Sequence, residues 1–160
     1  MPKSAFDAID LKIISLLQTD GRMTAQDVAA KVGLSASPCA RRIRILEEGG
    51  FIKGYVAVVD EAKFGLSVSA FASVKLARQH EDDLDKFAHS VSRWPEVVDC
   101  YLMTGPRDYL LRILVRDLAE YEAFLKNKLT RLEEVASIET SFALTQIKRT
   151  NSLPIGEDSR

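Results

Sequence analysis

The sequence of 160 residues has no long apolar run, only two cysteines and almost no net charge. No stretch approaches the ~18 consecutive apolar residues that a membrane-spanning helix needs. Residues 1–4 lack the apolar core of a signal peptide, and Cys39 and Cys100 lie far apart in the sequence. We therefore expect a cytoplasmic protein without membrane contacts, whose cysteines are reduced and buried like small apolar residues.

Motifs of common enzymes and cofactor-binding proteins are also absent. The sequence contains no P-loop, no Gly-x-Ser-x-Gly and no Gly-x-Gly-x-x-Gly pattern. His80 and His89 have no cysteine at the spacing of zinc ligands. The sequence therefore predicts no enzyme, no cofactor and no metal site.

The charges that are present are unevenly distributed along a chain whose formal net charge is −1. Between Lys31 and Lys53, five basic side chains stand against two acidic ones, whereas residues 81–85 include four acidic side chains. A local basic patch on an otherwise neutral chain favours DNA binding by several copies acting together.

The first fifty residues carry the pattern of three short helices. Asp7 begins the first helix and Thr24 the second, each as an N-cap with an acidic residue three positions later. Gly33 suits the left-handed position that ends the second helix. The third helix runs from about Ser35 to Glu48, before two glycines. Two helices joined by a glycine turn and preceded by another helix predict a helix-turn-helix.

The third predicted helix has an apolar side and a basic side. At about 100° per residue, Cys39, Ile43 and Leu46 share the inner side. Arginine offers a planar set of donors to guanine or phosphate, and serine hydroxyls contact phosphate. The candidate DNA contacts are residues of the outer side, its flank and first turn, with one lysine beyond the helix: Ser35, Ser37, Pro38, Arg41, Arg42, Arg44 and Lys53.

Residues 51–59 are rich in β-branched and aromatic side chains, which favours β structure. We predict a hairpin with its turn at Lys53 and Gly54, so that Lys53 lies near a phosphate backbone. Three helices followed by a β ribbon predict a winged helix-turn-helix domain over residues 1–59.

Two other interpretations of the basic helix stay open at this point. Its outer side is either a solvated surface without a ligand or, in an amino-acid-sensing module, a surface for protein contacts rather than DNA. Ile45 is the one apolar residue near that outer side, against three arginines, which disfavours the protein-contact interpretation.

Residues 60–66 are predicted to form a linker, and residues 67–150 are predicted to form a second domain. Strands are expected at residues 67–76, 97–103, 109–115 and 135–147, and helices at residues 81–93 and after Asp117. The order β-α-β-β-α-β predicts a ferredoxin-like domain, so the whole chain belongs to the α+β class.

Both helices of the second domain should cover one face of its sheet, burying Ala88 and Leu118 among others. The other face carries Phe71 among serines, and we expect it to pack on another subunit. The tail, residues 151–160, is polar, and we expect it to be disordered beyond Ile155.

Two blocks of sequence together resemble a known family. The first comprises residues 33–35, 38–39, 42–47 and 50–55, and the second is Leu-Met-Thr-Gly-Pro-Arg-Asp-Tyr-Leu-Leu at residues 102–111. Both resemble the leucine-responsive regulator/AsnC (Lrp/AsnC) family over roughly residues 7–150. The resemblance implies a sequence-specific DNA-binding transcription regulator that forms dimers and often tetramers or octamers. It also implies control by a small-molecule effector, usually an amino acid, bound between dimers.

The resemblance also implies an effector site beside the turn with the Gly-x-x-Asp pattern. In this sequence its residues are Leu102, Met103, Thr104, Gly105 and Asp108, with Thr140, Ser141 and Phe142 from the last strand. Asp108 is expected to pair with an α-ammonium group, and N–H groups of the turn to bind a carboxylate. Pro106 and Arg107 stand where many relatives carry an acidic residue, which makes this turn stiffer and less negative.

Overall fold

The computed structural model describes residues 7–155. Residues 7–58 with 148–155 form one compact unit, here called the helical unit, and residues 59–147 form a second, the sheet unit. The expectations for residues 1–4 and for the tail beyond Ile155 lie outside the described residues. In the range 7–155, no helix has the length and apolar character needed to cross a membrane.

Three helices build the helical unit: α1 (Ala8–Thr19), α2 (Ala25–Val32) and α3 (Ala36–Glu48). Asp7 caps α1 and Thr24 caps α2, each in a reciprocal pair with the acidic residue three positions later. These pairs form because the first N–H groups of a helix have no acceptor within it. Gly33 follows α2 with a φ of 73°. The three predicted helices and both capping pairs are confirmed.

The helical unit has a small core between its three helices. Its most enclosed side chains are Ile13 of α1, Val28 of α2, and Cys39 and Leu46 of α3. The predicted inner side of α3 is thereby confirmed, and Ile43 packs against this core while partly exposed.

The predicted hairpin at residues 51–59 is wrong, because residues 53–60 form no strand. Phe51 and Ile52 end α3 instead: their N–H groups both donate to the carbonyl of Leu46, at 2.9 and 3.1 Å. Gly50, with a φ of 73°, permits this reversal of the chain. The extended residues that follow find no partner strand within residues 7–155, and they leave Val56 exposed.

The sheet unit contains four strands and two helices in the predicted order: β1 (Val68–Leu76), α4 (Glu81–Val91), β2 (Val97–Leu102), β3 (Tyr109–Val115), α5 (Leu118–Asn127) and β4 (Val135–Phe142). The sheet is antiparallel with the strand order β2-β3-β1-β4. The predicted linker contains a short 3₁₀ turn (Glu61–Phe64), and a second one (Leu129–Arg131) follows α5.

Both helices pack on one face of the sheet, as predicted. Apolar residues that alternate along the strands meet large side chains of the helices in one core, which contains Ala70, Ala72, Val74, Leu111, Ile113, Phe87 and Phe124. The opposite face is mixed in character. It carries Arg112, which forms ion pairs with Glu61 (3.0 Å) and Asp99 (3.4 Å), together with the exposed rings of Phe71 and Tyr101.

Four expectations for the second domain are wrong in detail. Leu118 and Ala88 are exposed. Leu118 is the first residue of α5, and side chains tilt toward the helix N-terminus, which carries it beyond the sheet. β4 ends at Phe142, because its partner β1 begins only at Val68. Cys100 is exposed because it lies on the edge strand β2.

Candidate nucleic-acid interface and ligand site

The outer side of α3 is basic and exposed. With Cys39 and Leu46 buried, the side chains of Arg41 and Arg44 lie on the solvent side of the helix. Ser35, Ser37 and Pro38 are exposed at its N-terminus, and the hydroxyl of Ser35 makes no capping hydrogen bond. The first turn of α3 contains no acidic residue. The partial positive charge at the N-terminus of α3 is therefore not compensated by an acidic side chain, which favours anion binding there.

Arg41 and Arg44 are only weakly restrained. The guanidinium of Arg44 lies 3.7 Å from the carboxylate of Glu48, one helical turn away, and both side chains are about 70% exposed. Such surface pairs contribute little to stability. Arg41 has no ion-pair partner among residues 7–155. Both guanidinium groups are therefore available to a ligand.

Arg42 is placed differently from the other two arginines. Its Nη1 donates to Asp7 (2.9 Å) and to Asp10 (2.8 Å), the two residues that cap α1. The hydrogen bond to Asp10 contributes most to raising the pKa of Arg42. The backbone N–H of Asp10 contributes most to lowering the pKa of Asp7. The predicted place of Arg42 among the DNA contacts is thus not supported by its geometry, because its guanidinium is used to join α3 to α1.

Lys53 is exposed, but the missing hairpin leaves it on an extended segment rather than at the tip of a wing. That segment is fixed further along by Tyr55, whose hydroxyl donates to Glu47 of α3 (2.9 Å). Burial, together with this hydrogen bond, raises the pKa of Tyr55 to about 12. The ring also covers Gly21, where an added Cβ would lie 3.1 Å from it.

The turn between β2 and β3 has exposed apolar side chains and a glycine that leaves its backbone accessible. Leu102, Met103 and Thr104 are exposed. Gly105 has a φ of 104°, a conformation that residues with a side chain rarely adopt. A ligand can therefore approach the backbone of this turn closely.

Asp108, which is expected to pair with an α-ammonium group, is largely buried. It is 6% exposed, and its two carboxylate oxygens accept from the backbone N–H of Leu76 (2.7 Å) and from the side chain of Gln79 (2.8 Å). Both carboxylate oxygens therefore already accept a hydrogen bond from this chain, and little of the group is exposed to an α-ammonium group. Asp108 instead ties the turn to the end of β1, a contact that sequence reasoning missed.

Arg107 and Lys75 provide two further attachments of the turn. Arg107 donates to Ser137 (2.8 Å) and to Glu139 (2.6 Å) of β4, and Lys75 donates to the carbonyl of Pro106 (3.3 Å). The sequence distinguishes Arg107 only as a departure from the family pattern. Arg107 is charged and lies in a turn predicted near the end of a strand. A carboxylate partner for it could therefore have been expected from the sequence.

The structure does not bring the last-strand residues to the turn within one chain. Tyr109, next to the turn, pairs with Val74, which pairs with Ile138. Phe142 lies four residues beyond Ile138, which is about 13 Å along the strand. Thr140 and Phe142 face α5 through Tyr121, by a hydrogen bond and an edge-on ring contact, whereas Ser141 is on the other face opposite Phe71.

Comparison with known proteins defines the class of this protein. A family model described as winged helix-turn-helix DNA-binding matches residues 6–53. A second model, described as Lrp/AsnC ligand binding domain, matches residues 69–153. A DNA-binding domain joined to a ligand-binding domain defines a ligand-responsive transcription regulator.

Relatives align over nearly the whole chain. The Bkd operon transcriptional regulator of Pseudomonas aeruginosa is 45% identical over 149 residues, covering 93% of this chain and 97% of the relative. The DNA-binding transcriptional activator DecR of Escherichia coli strain K12 is 37% identical, covering 93% and 98%. The chain belongs to the Lrp/AsnC family, and it is a DNA-binding transcription regulator of that family.

Solved structures share the fold. A regulator from Neisseria meningitidis in complex with L-methionine has a TM-score of 0.90 and 37% identity, covering 94% of this chain and 97% of its own. An AsnC family regulator from Agrobacterium tumefaciens has a TM-score of 0.89 and 42% identity, with the same coverage. The predicted family and the winged helix-turn-helix plus α+β fold class are confirmed, although the hairpin at residues 51–59 is not formed.

Proposed function

We propose that α3 binds the major groove of double-stranded DNA with its outer side. One observation carries this proposal: α3 buries Cys39 and Leu46, while the guanidinium groups of Arg41 and Arg44 are exposed and only weakly restrained. Guanidinium groups in that position can bind guanine edges or phosphates.

Smaller groups complete the proposed DNA-binding surface. Ser35, Ser37 and Pro38 lie at the N-terminus of α3, where free N–H groups attract phosphate, and Lys53 follows the helix. We leave Arg42 out of this surface, because Asp7 and Asp10 hold its guanidinium. Its proposed role is to fix the position of α3 against α1.

We propose that the protein acts as an oligomer of identical subunits, as a dimer, tetramer or octamer. With a net charge of −1, one basic patch provides little long-range attraction to DNA. A dimer presents two copies of α3 to successive major grooves, about 34 Å apart. The open face of the sheet, with the exposed rings of Phe71 and Tyr101, is the surface that we assign to subunit contacts.

We propose that an amino acid binds at the turn after β2 and controls DNA binding. The relative solved with L-methionine supports this ligand class. Leu102 and Met103 offer apolar contacts, and the backbone at Gly105 can receive the carboxylate. Because Ser141 and Phe142 lie far from the turn of their own chain, we propose that a second subunit supplies them. We also propose that this subunit belongs to another dimer, so that the effector binds between dimers.

A gel-shift assay tests this function. The full chain is mixed at low salt with the DNA upstream of its own gene, and the twenty amino acids are added one at a time. We expect a shift, and a change in affinity of about 5- to 150-fold with at least one amino acid. No shift would contradict the DNA interface and favour protein contacts instead. A shift that ignores all twenty amino acids would contradict the effector.

Two further properties follow from this role as proposals. A regulator that acts by occupying DNA needs no catalytic activity, so we propose that the protein is not an enzyme. We also propose that it acts in the cytoplasm, where the DNA of its bacterial relatives lies.

A further inference from the structure

The C-terminal segment, residues 148–155, belongs to the helical unit rather than to the sheet unit that precedes it. The chain therefore passes between the two units twice, once after Val58 and once after Ile147. The first passage is sufficient to join the units. The second returns the chain to the DNA-binding unit directly from the strand that ends at Phe142.

One glutamine of α1 holds this segment. Gln18 donates from Nε2 to the carbonyl of Leu153 (3.3 Å) and accepts at Oε1 from the N–H of Leu153 (2.6 Å). Both backbone groups of one residue are thus bound by one side chain. A shift of the segment by one residue would break both bonds, so the contact fixes where the segment lies along α1.

Leu153 and Ile155 of the held segment line an apolar groove of 1320 Å³. The same groove is lined by Leu11 and Ile14 of α1 and by residues 51–58, which follow α3. The segment therefore borders both the helix that holds Arg42 and the residues into which α3 continues.

We propose that residues 148–155 form a C-terminal strap that transmits the state of the sheet unit to α3. The inference rests on the proposed function, since Phe142 is one of the residues assigned to the effector. Ten residues separate Phe142 from Leu153, which is bound by Gln18 near the end of α1. The first turn of the same helix holds Arg42 of α3.

The attachment is suited to a switch. The two hydrogen bonds between Gln18 and Leu153 are exposed to water, so they contribute modestly and can open and close reversibly. Coupling between two sites requires such an element with two states that both sites influence. The closed strap holds α1 and, through Arg42, the position of α3.

Three variants of the full chain isolate this contact. Gln18→Ala removes both hydrogen bonds, and Gln18→Glu keeps the acceptor for the N–H of Leu153 while losing the donor. Gln26→Ala is the matched control, because Gln26 is an exposed glutamine on α2. Thermal unfolding verifies that all three variants fold.

Amide hydrogen exchange in the DNA-free oligomer measures the attachment itself. We expect the N–H of Leu153 to be protected in the unsubstituted protein and in Gln26→Ala. Protection should be lower in Gln18→Glu and lost in Gln18→Ala. Equal exchange in all four proteins would overturn the strap.

The gel-shift assay measures transmission, with the amino acid that changes the DNA affinity of the unsubstituted protein. Without that amino acid, we expect Gln26→Ala to bind DNA within about twofold of the unsubstituted protein. With it, the fold-change in affinity should fall at least about threefold in Gln18→Ala but not in Gln26→Ala. A full response in Gln18→Ala would overturn the proposal. If no amino acid affects the unsubstituted protein, effector control and transmission both fail, while the exchange experiment separately decides whether the strap is attached.

Discussion

The two units of this protein are stabilised in different ways. Among residues 7–155, the sheet unit encloses thirteen buried apolar residues in one core, and the helical unit encloses six. The helical unit adds polar contacts near its surface, chiefly those of Arg42 with Asp7 and Asp10 and of Gln18 with Leu153. A unit with a small core responds to small changes in such contacts. This difference suits a regulator in which one part assembles subunits and the other must respond.

The largest expected effect comes from the core of the sheet unit. Phe87 is fully buried and lies 4.4 Å from the ring of Tyr109, centroid to centroid. We expect Phe87→Ala to lower the free energy of unfolding of this unit by about 3–5 kcal/mol. Amide exchange in β1 and β3 measures the loss, and α2 and α3 should change little.

The matched control is Leu118→Ala, which removes an exposed apolar side chain of the same unit. It should change stability by no more than about 0.5 kcal/mol. If Phe87→Ala lowers protection equally in both units, the two units unfold together. The contrast between a sheet unit and a helical unit of separate stability would then be wrong.

A polar contact of the sheet unit provides the next test. Asp108→Ala leaves the N–H of Leu76 and the amide of Gln79 without their acceptor. We expect a loss of about 1–3 kcal/mol in the sheet unit, measured by amide exchange at the end of β1. If the variant instead keeps full stability but loses only its amino-acid response, Asp108 binds the ligand as the family resemblance implied.

Arg42 tests the corresponding contact in the helical unit. Arg42→Ala leaves the largely buried carboxylate of Asp10 without its partner, and we expect a loss of about 1–3 kcal/mol in the unfolding free energy of this unit. Because Arg42 is not assigned to phosphate, the slope of log Kd against log salt concentration should stay unchanged. Amide exchange in α1 to α3 and a salt titration of DNA binding measure the two quantities.

Arg41→Ala is the contrasting variant, because its guanidinium has no ion-pair partner within residues 7–155. It should leave stability unchanged, weaken DNA binding roughly tenfold and reduce the salt slope by about 0.9 for each phosphate that is no longer neutralised. If Arg42→Ala reduces the slope as well, Arg42 binds DNA and its assignment to α1 is wrong.

The smallest expected effect is the pH dependence of the α1 cap. The N–H of Asp10 and, to a lesser extent, Arg42 lower the pKa of Asp7. A carboxyl with a lowered folded pKa contributes stability above its unfolded pKa and loses it as pH falls through the folded pKa. The helical unit should therefore lose stability below about pH 4, and Asp7→Asn should reduce that loss in an acid titration followed by exchange.

Glu122→Gln provides the control in the sheet unit. The pKa of the Glu122 carboxyl group is likewise lowered, by the hydrogen bond from Lys126 within α5. This substitution should affect the acid response of α5 and leave that of α1 unchanged. If the acid response of α1 persists in Asp7→Asn, another carboxyl group is responsible for that response.

Features set by local sequence were predictable, and features set by distant partners were not. The capping pairs and Gly33 act within a few residues, and the alternation along β1 directly reflects one buried face. The hairpin was wrong because the end of α3 competed for Phe51 and Ile52, and two consecutive glycines already signalled that end.

The partners of individual site residues depend on the register of the whole fold. Asp108 meets Gln79 only because β3 pairs with β1, which no local pattern reveals. Arg42 did carry a signal. At 100° per residue it lies about 40° from Leu46, on the buried side of α3, where an arginine needs a carboxylate.

The unequal exposure of the two thiols offers a practical means of observing this protein. Cys39 is fully enclosed, whereas Cys100 is accessible on the edge strand β2. Partial burial raises the pKa of the Cys100 thiol, so it should alkylate slowly at neutral pH and faster under mildly alkaline conditions. A maleimide fluorophore would then mark a single position per subunit without any engineered cysteine, and its emission would report on whatever approaches that edge.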